Sequence, residues 1–229
     1  MTKQLVLLLG ALALIGCGEK EKSPNSVQTG QEAGTVQEAK EEVDAVSSGP
    51  EPLISDADVE RFAKDAIDTA NAAKEEDYTG WSKLVHQGQL VELVQWKNGK
   101  SDGPYMLWYE DGTIREMGIL KEDVEQQIYA YYPTGKIQSM CIFKAGEMAQ
   151  YETYYPTGEK QSVISPADAE SQEAVAWHKN GKKAGTMLMK DGEPLMKDGE
   201  AVLMKFWNEE GEELDKEEGM KMIKGIMDY

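Results

Sequence analysis

The chain is poor in the residues from which most catalytic and metal sites are built. Among its 229 residues there are only 2 histidines, His86 and His178, and 2 cysteines, Cys17 and Cys141. No His or Cys cluster has ligand spacing, so no metal or cofactor is expected. A nucleophile elbow, a P-loop and a dinucleotide fingerprint are all missing. With no nucleophile, base and orienter together, the expectation is a protein that is not an enzyme. Positive charge is scarce too: 24 Lys and Arg face 42 Asp and Glu, for a net charge of -18. Such a surface repels phosphate backbones and anionic lipid alike, which excludes nucleic acid as a partner. Long apolar runs are absent but for Leu5 to Ile15, too short to cross a bilayer as a helix, which takes about 20 residues.

That one run reads as an export signal. Lys3 gives a positive start, the apolar stretch follows, and Gly16 supplies the small residue at the cleavage point. Cys17 comes directly after it, and Leu14-Ile15-Gly16-Cys17 resembles the bacterial lipobox, in which the cysteine is acylated. Each buried methylene of an acyl chain contributes roughly 0.8 kcal/mol, so a multiply acylated Cys17 would anchor the chain stably. The expected address is the bacterial cell envelope, with the palmitate-type anchor in the outer membrane and the protein facing the periplasm. Gly18 rather than Asp after the cysteine is consistent with release from the inner membrane, by the same resemblance. With Cys17 given to lipid, no disulfide framework is expected.

Residues 1–16 are therefore read as a lipoprotein signal peptide and residues 17–52 as a disordered tether, too rich in Glu, Lys, Ser, Gln, Gly and Pro to bury a core. Over 53–77, Ser55 looks like an N-cap, and Val59, Phe62, Ala63, Ala66, Ala70 and Ala73 form an apolar stripe at helical spacing. The spacing predicts one helix over 56–77 that caps the first sheet edge.

From 78 to 213 the period becomes two. An eight-residue phrase recurs as YMLWYEDG, IYAYYPTG, YETYYPTG and AVAWHKNG, closing on Gly112, Gly135, Gly158 and Gly181 at a step of 23 residues. A fixed period of this size marks a repeat architecture. A strand runs into each glycine and another returns from it, so each unit is a hairpin. Asp111-Gly112 and Asn180-Gly181 read as direct two-residue turns, the Tyr-Pro-Thr-Gly segments as type I turns with a bulge, and Ala145-Gly146 and Asp191-Gly192 as looser links. Gly88 marks a degenerate first unit. MKFWNEEG, closing on Gly211, is a last one, displaced because Leu188 to Pro194 is followed by a near-copy at Leu195 to Ala201. Pro166 should stop its strand near Ile164.

The fold expected is mainly β: an elongated, twisted antiparallel meander of about six hairpin repeats. An N-terminal helix precedes it, and a short C-terminal helix closes the acidic and amphipathic segment 214–229. About twelve strands at about 4.8 Å each would span about 50 Å.

Repeats let residues be read in columns. Trp108, Tyr131, Tyr154, Trp177 and Trp207 occupy one phase and read as a packing ladder. Tyr109, Tyr132, Tyr155, His178 and Asn208 occupy the next and read as the solvent-facing ladder, the candidate binding surface for a glycan or peptide. The columns also discount catalysts, since His178 stands where other units carry tyrosine and Cys141 shares a slot with Gly118, Ile164 and Met187.

The turn pattern aromatic-aromatic-x-x-Gly-Lys, as in Tyr131-Tyr132-Pro133-Thr134-Gly135-Lys136 and Trp177-His178-Lys179-Asn180-Gly181-Lys182, resembles the MORN-variant repeats of bacterial proteins grouped with the YwqK antitoxin family. The resemblance covers roughly 78 to 213 and implies antiparallel hairpins and no catalytic residues. Two functions follow as expectations. One is an anchored scaffold that binds a protein or cell-wall partner; the other is an antitoxin or immunity-like inhibitor of an exported toxin.

Overall fold

The structure, a computed structural model, describes residues 53–227. The expected signal peptide, the expected lipid site Cys17 and the expected tether lie outside the described residues. The repeat region folds as expected into one long sheet of 14 strands, which also takes in a short strand from the N-terminal segment. In chain order the strands are β1 (Ile67–Asp68), β2 (Gly80–His86), β3 (Gln89–Lys97), β4 (Lys100–Trp108), β5 (Ile114–Lys121), β6 (Val124–Tyr131), β7 (Ile137–Lys144) and β8 (Glu147–Tyr154). They continue as β9 (Lys160–Pro166), β10 (Gln172–Trp177), β11 (Lys183–Lys190), β12 (Glu193–Pro194), β13 (Met196–Lys197), β14 (Glu200–Ala201), β15 (Met204–Trp207) and β16 (Glu213–Leu214). From β2 to β11 each strand pairs antiparallel with the next, then β11 pairs with β15 and β15 with β16.

The turns alternate between two kinds, and the tight ones are not those expected. At Gly112, Gly135, Gly158, Gly181 and Gly211 the glycine N–H bonds the carbonyl three residues back, and the residue at that position bonds across the turn. Asp111-Gly112 and Asn180-Gly181 thus form the same four-residue turn as Tyr-Pro-Thr-Gly. The Asp111 carboxylate accepts from the Thr113 N–H at 2.8 Å and the Asn180 side-chain oxygen from the Lys182 N–H at 3.0 Å, which favours this geometry over a mirror-image turn. The links taken as loose are the two-residue turns: Ala145 and Gly146 have φ of 53° and 81°, and Asp191 and Gly192 53° and 77°. Both kinds suit the right-handed twist of the flanking strands. Gly88 keeps the repeat's place but sits in a two-residue turn with Gln87 at φ 51°.

Just after the turns at Gly112, Gly135, Gly158 and Gly181 the register skips one residue, at Arg115, Gln138, Gln161 and Ala184. These bulges share the 23-residue step, and on the link side the skips at Gln126 and Ala149 share it too, so the extra local twist a bulge brings recurs with the repeat. The tandem copy behaves as a pure insertion. Its two Asp-Gly turns make the hairpins β11–β12 and β13–β14, and β15 then returns to β11 with Phe206 opposite Gly185.

Two expectations are corrected. The first helix runs only over Asp56–Asp65, because Ala66 turns extended at ψ 138° and Ile67–Asp68 pairs parallel with Ser82–Lys83. Asp68 then caps a four-residue helix at Thr69–Ala72 by accepting from the Ala70 N–H at 2.9 Å. Of the predicted stripe, Ala66 is buried but Ala70 and Ala73 are exposed, and Ala72 is buried instead. The strand carrying Pro166 does not stop at Ile164 but continues to Pro166, opposite Gln172. Its β8 neighbour stops pairing at Ile164, so the missing proline N–H interrupts no ladder.

Consecutive residues of a strand point to opposite faces, so the sheet has two apolar faces. On the first, Met106, Met117, Tyr129, Tyr131 and Tyr154 form a core with Ile54. The entering segment covers it: Phe62 stacks on Trp81 with ring centroids 4.3 Å apart, and Val59 and Leu53 pack beside them. On the second face, pairing carries one row from Tyr105 through Gly118, Ile128, Cys141, Tyr151, Ile164 and Ala174 to Met187 and Met204. At its far end lies the C-terminal helix, Lys216–Met227, longer than the sequence suggested and unbroken by Gly219 and Gly225.

Candidate functional site

Of the two aromatic columns, only the second departs from the part expected of it. Tyr131 and Tyr154 are buried in the first-face core, and Trp108 packs against it, as a packing ladder should. The second column is not solvent-facing. Tyr155 is 1% exposed and His178 4% exposed, while Tyr109, Tyr132 and Asn208 are half-buried. Their polar atoms reach the following unit. Tyr109 donates to the Tyr131 carbonyl at 2.9 Å, Tyr132 to that of Tyr154 at 2.8 Å and Tyr155 to that of Trp177 at 2.8 Å. The His178 ring nitrogen Nε2 lies 2.7 Å from the Trp207 carbonyl, repeating the contact across the insertion. The last member, Asn208, turns back on its own turn and accepts from the Glu210 and Glu212 N–H groups. The column is a chain of clamps between neighbouring repeats, which explains why an aromatic or imidazole with a distant polar atom is needed there. Lysines after the turns add to it: Lys136 donates to the Thr157 carbonyl and Lys182 to that of Glu209 at 2.9 Å.

Beside the first-face core Glu152 is buried and its carboxylate is satisfied by Gln150 at 2.6 Å, by Lys160 at 3.1 Å and by the Tyr154 hydroxyl. Burial pushes the Tyr131 hydroxyl up to about 12, and Tyr154 is raised by burial and then by its bond to Glu152. These phenols stay protonated throughout the ordinary pH range.

An apolar concavity lies on the second face, in a region the columns did not identify. Its floor is Ile164, Ala174, Ala176, Met187, Met204 and Phe206; its roof is Met220, Ile223 and Met227 of the C-terminal helix; Glu193, Pro194 and Met196 of the insertion form a side wall. The volume is about 240 Å³. The helix is held in place by several features of sequence. The Asp215 carboxylate caps it, accepting from the Glu217 and Glu218 N–H groups at 2.9 Å. Gln161, a bulge residue, donates to the Ile226 carbonyl at 2.7 Å. Gly219 allows the closest approach, since a Cβ there would stand 2.2 Å from the Phe206 ring. In the side wall, Met196 is 50% exposed.

Of the predicted binding ladder, Tyr155, His178 and Asn208 come together, in a second hollow of about 490 Å³ with Lys179 and Glu209. Tyr132 and Tyr109 stand one and two units before Tyr155. Lys179 lies over the Tyr155 ring, 5.4 Å from its centroid. Cys141 is buried in the second-face row beside Ile128 and Tyr151, in the slot its repeat phase assigned. Among the described residues no His, Cys, Asp and Glu group could hold a metal ion, and no helix is long and apolar enough to cross a membrane.

The groove's signals in sequence were the methionine-rich end and the tandem copy, but only the fold brings them together. No family model matches the chain, and no curated protein matches it. Among solved structures, that of accessory secretory proteins 1, 2 and 3 in Streptococcus pneumoniae is similar over 42% of this chain and 19% of its own, at 15% identity and a TM-score of 0.29. A GtfA/B complex bound to UDP and GlcNAc is similar over 49% of this chain and 22% of its own, at 8% identity and a TM-score of 0.22. The chain therefore spans about a fifth of those proteins' length, and overlaps this slight carry no argument about function.

Proposed function

We propose that this protein is a non-enzymatic, lipid-anchored repeat protein of the bacterial envelope, of the MORN-variant type, that binds a protein partner through the groove on its second face. Cys17 attaches it to the membrane and residues 17–52 hold the sheet away from the lipid. The observation that carries the reading is the groove itself. Apolar side chains line its floor and roof, and the elements that close it, the insertion and the C-terminal helix, add to the repeat array without being needed to pair its strands. Concave apolar surface kept open beside a rigid sheet is what a docking site requires. An inhibitor of an exported toxin would use the same address and differ in its partner.

The test is fractionation and crosslinking in intact envelopes. Wild-type protein should sediment with membranes and yield one discrete crosslinked complex, while Cys17→Ser should move to the soluble fraction. Unchanged sedimentation of Cys17→Ser would reject the anchor. Absence of any discrete complex would reject the binding role, and a stoichiometric toxin in it would select the inhibitor.

A further inference from the structure

Methionine is concentrated where the groove lies. Seven of the chain's 12 methionines fall between Met187 and Met227, and five of them, Met187, Met196, Met204, Met220 and Met227, line this one cavity. They come from β11, β13, β15 and the C-terminal helix. Met187 and Met204 stand directly opposite each other in the floor, a pairing that puts Cβ atoms about 4.5 to 5.5 Å apart. Met220 and Met227 are seven residues apart on the helix, which brings them onto one side of it, two turns apart. We infer that the groove is a binding site for a soft monovalent cation, Cu(I), held by thioethers of the floor pair and of the helix. The inference goes beyond the partner-binding reading above and does not rest on it.

Donor chemistry and open volume carry it. Thioether sulfur is a soft ligand that suits Cu(I), whereas Mg(II), Ca(II) and Mn(II) take oxygen donors. These donors are neutral, and the charged residues in the lining are one acid and one base, Glu193 and Lys216. The cavity thus offers no net charge against the large desolvation cost of a divalent ion, and a monovalent one is cheaper to bring in. The chain's net charge of -18 draws cations toward it from solution. Methionine used only as core filler behaves otherwise, because its flexible side chain closes gaps. Met106 and Met117 do this, fully buried among tyrosine rings of the first-face core. The five groove methionines instead surround about 240 Å³ that stays open.

The test is an NMR titration of the full chain carrying Cys17→Ser and methyl-13C methionine with Ag(I), a redox-inert stand-in for Cu(I). Single Met→Leu variants assign the signals. At one equivalent the methyl signals of Met187 and Met204, and of at least one of Met220 and Met227, should move, while those of Met106 and Met117 stay in place. Ca(II) should move none. Leucine keeps the bulk and apolarity of methionine and removes the sulfur, a swap that cores tolerate. Met204→Leu should therefore keep the wild-type circular dichroism spectrum and lower Ag(I) affinity roughly tenfold; Met220→Leu is the second variant, and a packing role alone would leave affinity unchanged in both. The proposal is overturned by groove signals that do not move, by full Ag(I) affinity in both folded Leu variants, or by movement confined to Met148. That residue packs in the same cluster as Cys141 and would report capture by the thiol. Cu(I), kept reduced under ascorbate without oxygen, should reproduce the Ag(I) pattern, and its failure to do so would also overturn the site. Partner crosslinking in envelopes succeeds or fails independently of these outcomes.

Discussion

Replacing Tyr155 with phenylalanine removes one oxygen and isolates the clamp between repeats. The hydroxyl donates to the Trp177 carbonyl at 2.8 Å, in a residue only 1% exposed. A net hydrogen bond is worth about 0.5 to 1.5 kcal/mol, and a buried acceptor left unpaired costs about 1 to 3 kcal/mol. Phenylalanine keeps the ring and its packing, so Tyr155→Phe should cost about 1 to 2 kcal/mol, from the hydrogen bond alone. Tyr109 makes the same contact at 2.9 Å but is half-buried, and water can replace the lost donor. Tyr109→Phe should therefore cost below about 1 kcal/mol. Urea unfolding followed by tryptophan fluorescence and by circular dichroism measures both, and Trp177 itself reports on the affected junction. In a domain of 150 to 250 residues the larger value corresponds to a fall of about 2 to 8 °C in Tm. A Tyr155→Phe protein as stable as wild type, or a Tyr109→Phe protein that loses more, would refute the clamp. The outcome would then favour a column kept for a ligand.

Other perturbations bear on separate parts of the structure. Gly219→Ala places a Cβ 2.2 Å from the Phe206 ring and should lift the C-terminal helix, at a cost of about 1 to 3 kcal/mol for overpacking; protease sensitivity near 216–227 and denaturant midpoints would show it, and wild-type behaviour of both would contradict this packing. Ala145 sits at φ 53° in its two-residue turn, so Ala145→Gly should stabilise by roughly 0.4 to 1 kcal/mol, and a lower denaturant midpoint would contradict the turn assignment. The Tyr131 hydroxyl is raised from 10.0 to about 12 in the folded chain. Its contribution is thus fully present below pH 10 and lost as pH rises through about 12. A circular dichroism titration should show alkaline loosening that Tyr131→Phe reduces, and an unaltered alkaline limb would count against burial of that hydroxyl.

The fold was legible where the sequence repeats. Glycines at a constant step fixed the hairpins, their order and the slot of Cys141, because in a stacked meander one phase becomes one row of partners. The phase of Tyr155 and His178 was equally legible, but not their direction. Strand alternation places them away from Tyr154 and Trp177, which suggested solvent, yet each lies where its strand ends and a turn begins, and there the side chain can fold over onto the next unit. The turn kinds were not legible from the Asp-Gly pair alone, because the Asp111 carboxylate binds the Thr113 N–H and changes the backbone it prefers. The first helix was overextended because an alanine stripe carries helical periodicity without saying where the chain must leave to pair with β2. The groove could not be read at all, since Met187, Met204 and Met220 come from three elements whose meeting depends on the insertion preserving β15 against β11.

The central claim is that partners meet the second face at the apolar groove rather than the tyrosine column. Site-specific photocrosslinking in living cells tests it most directly, with the reactive side chain at Met196 in the groove wall or at Tyr132 in the column. The account predicts a discrete adduct from position 196 and none from position 132. An adduct from position 132 alone would contradict it.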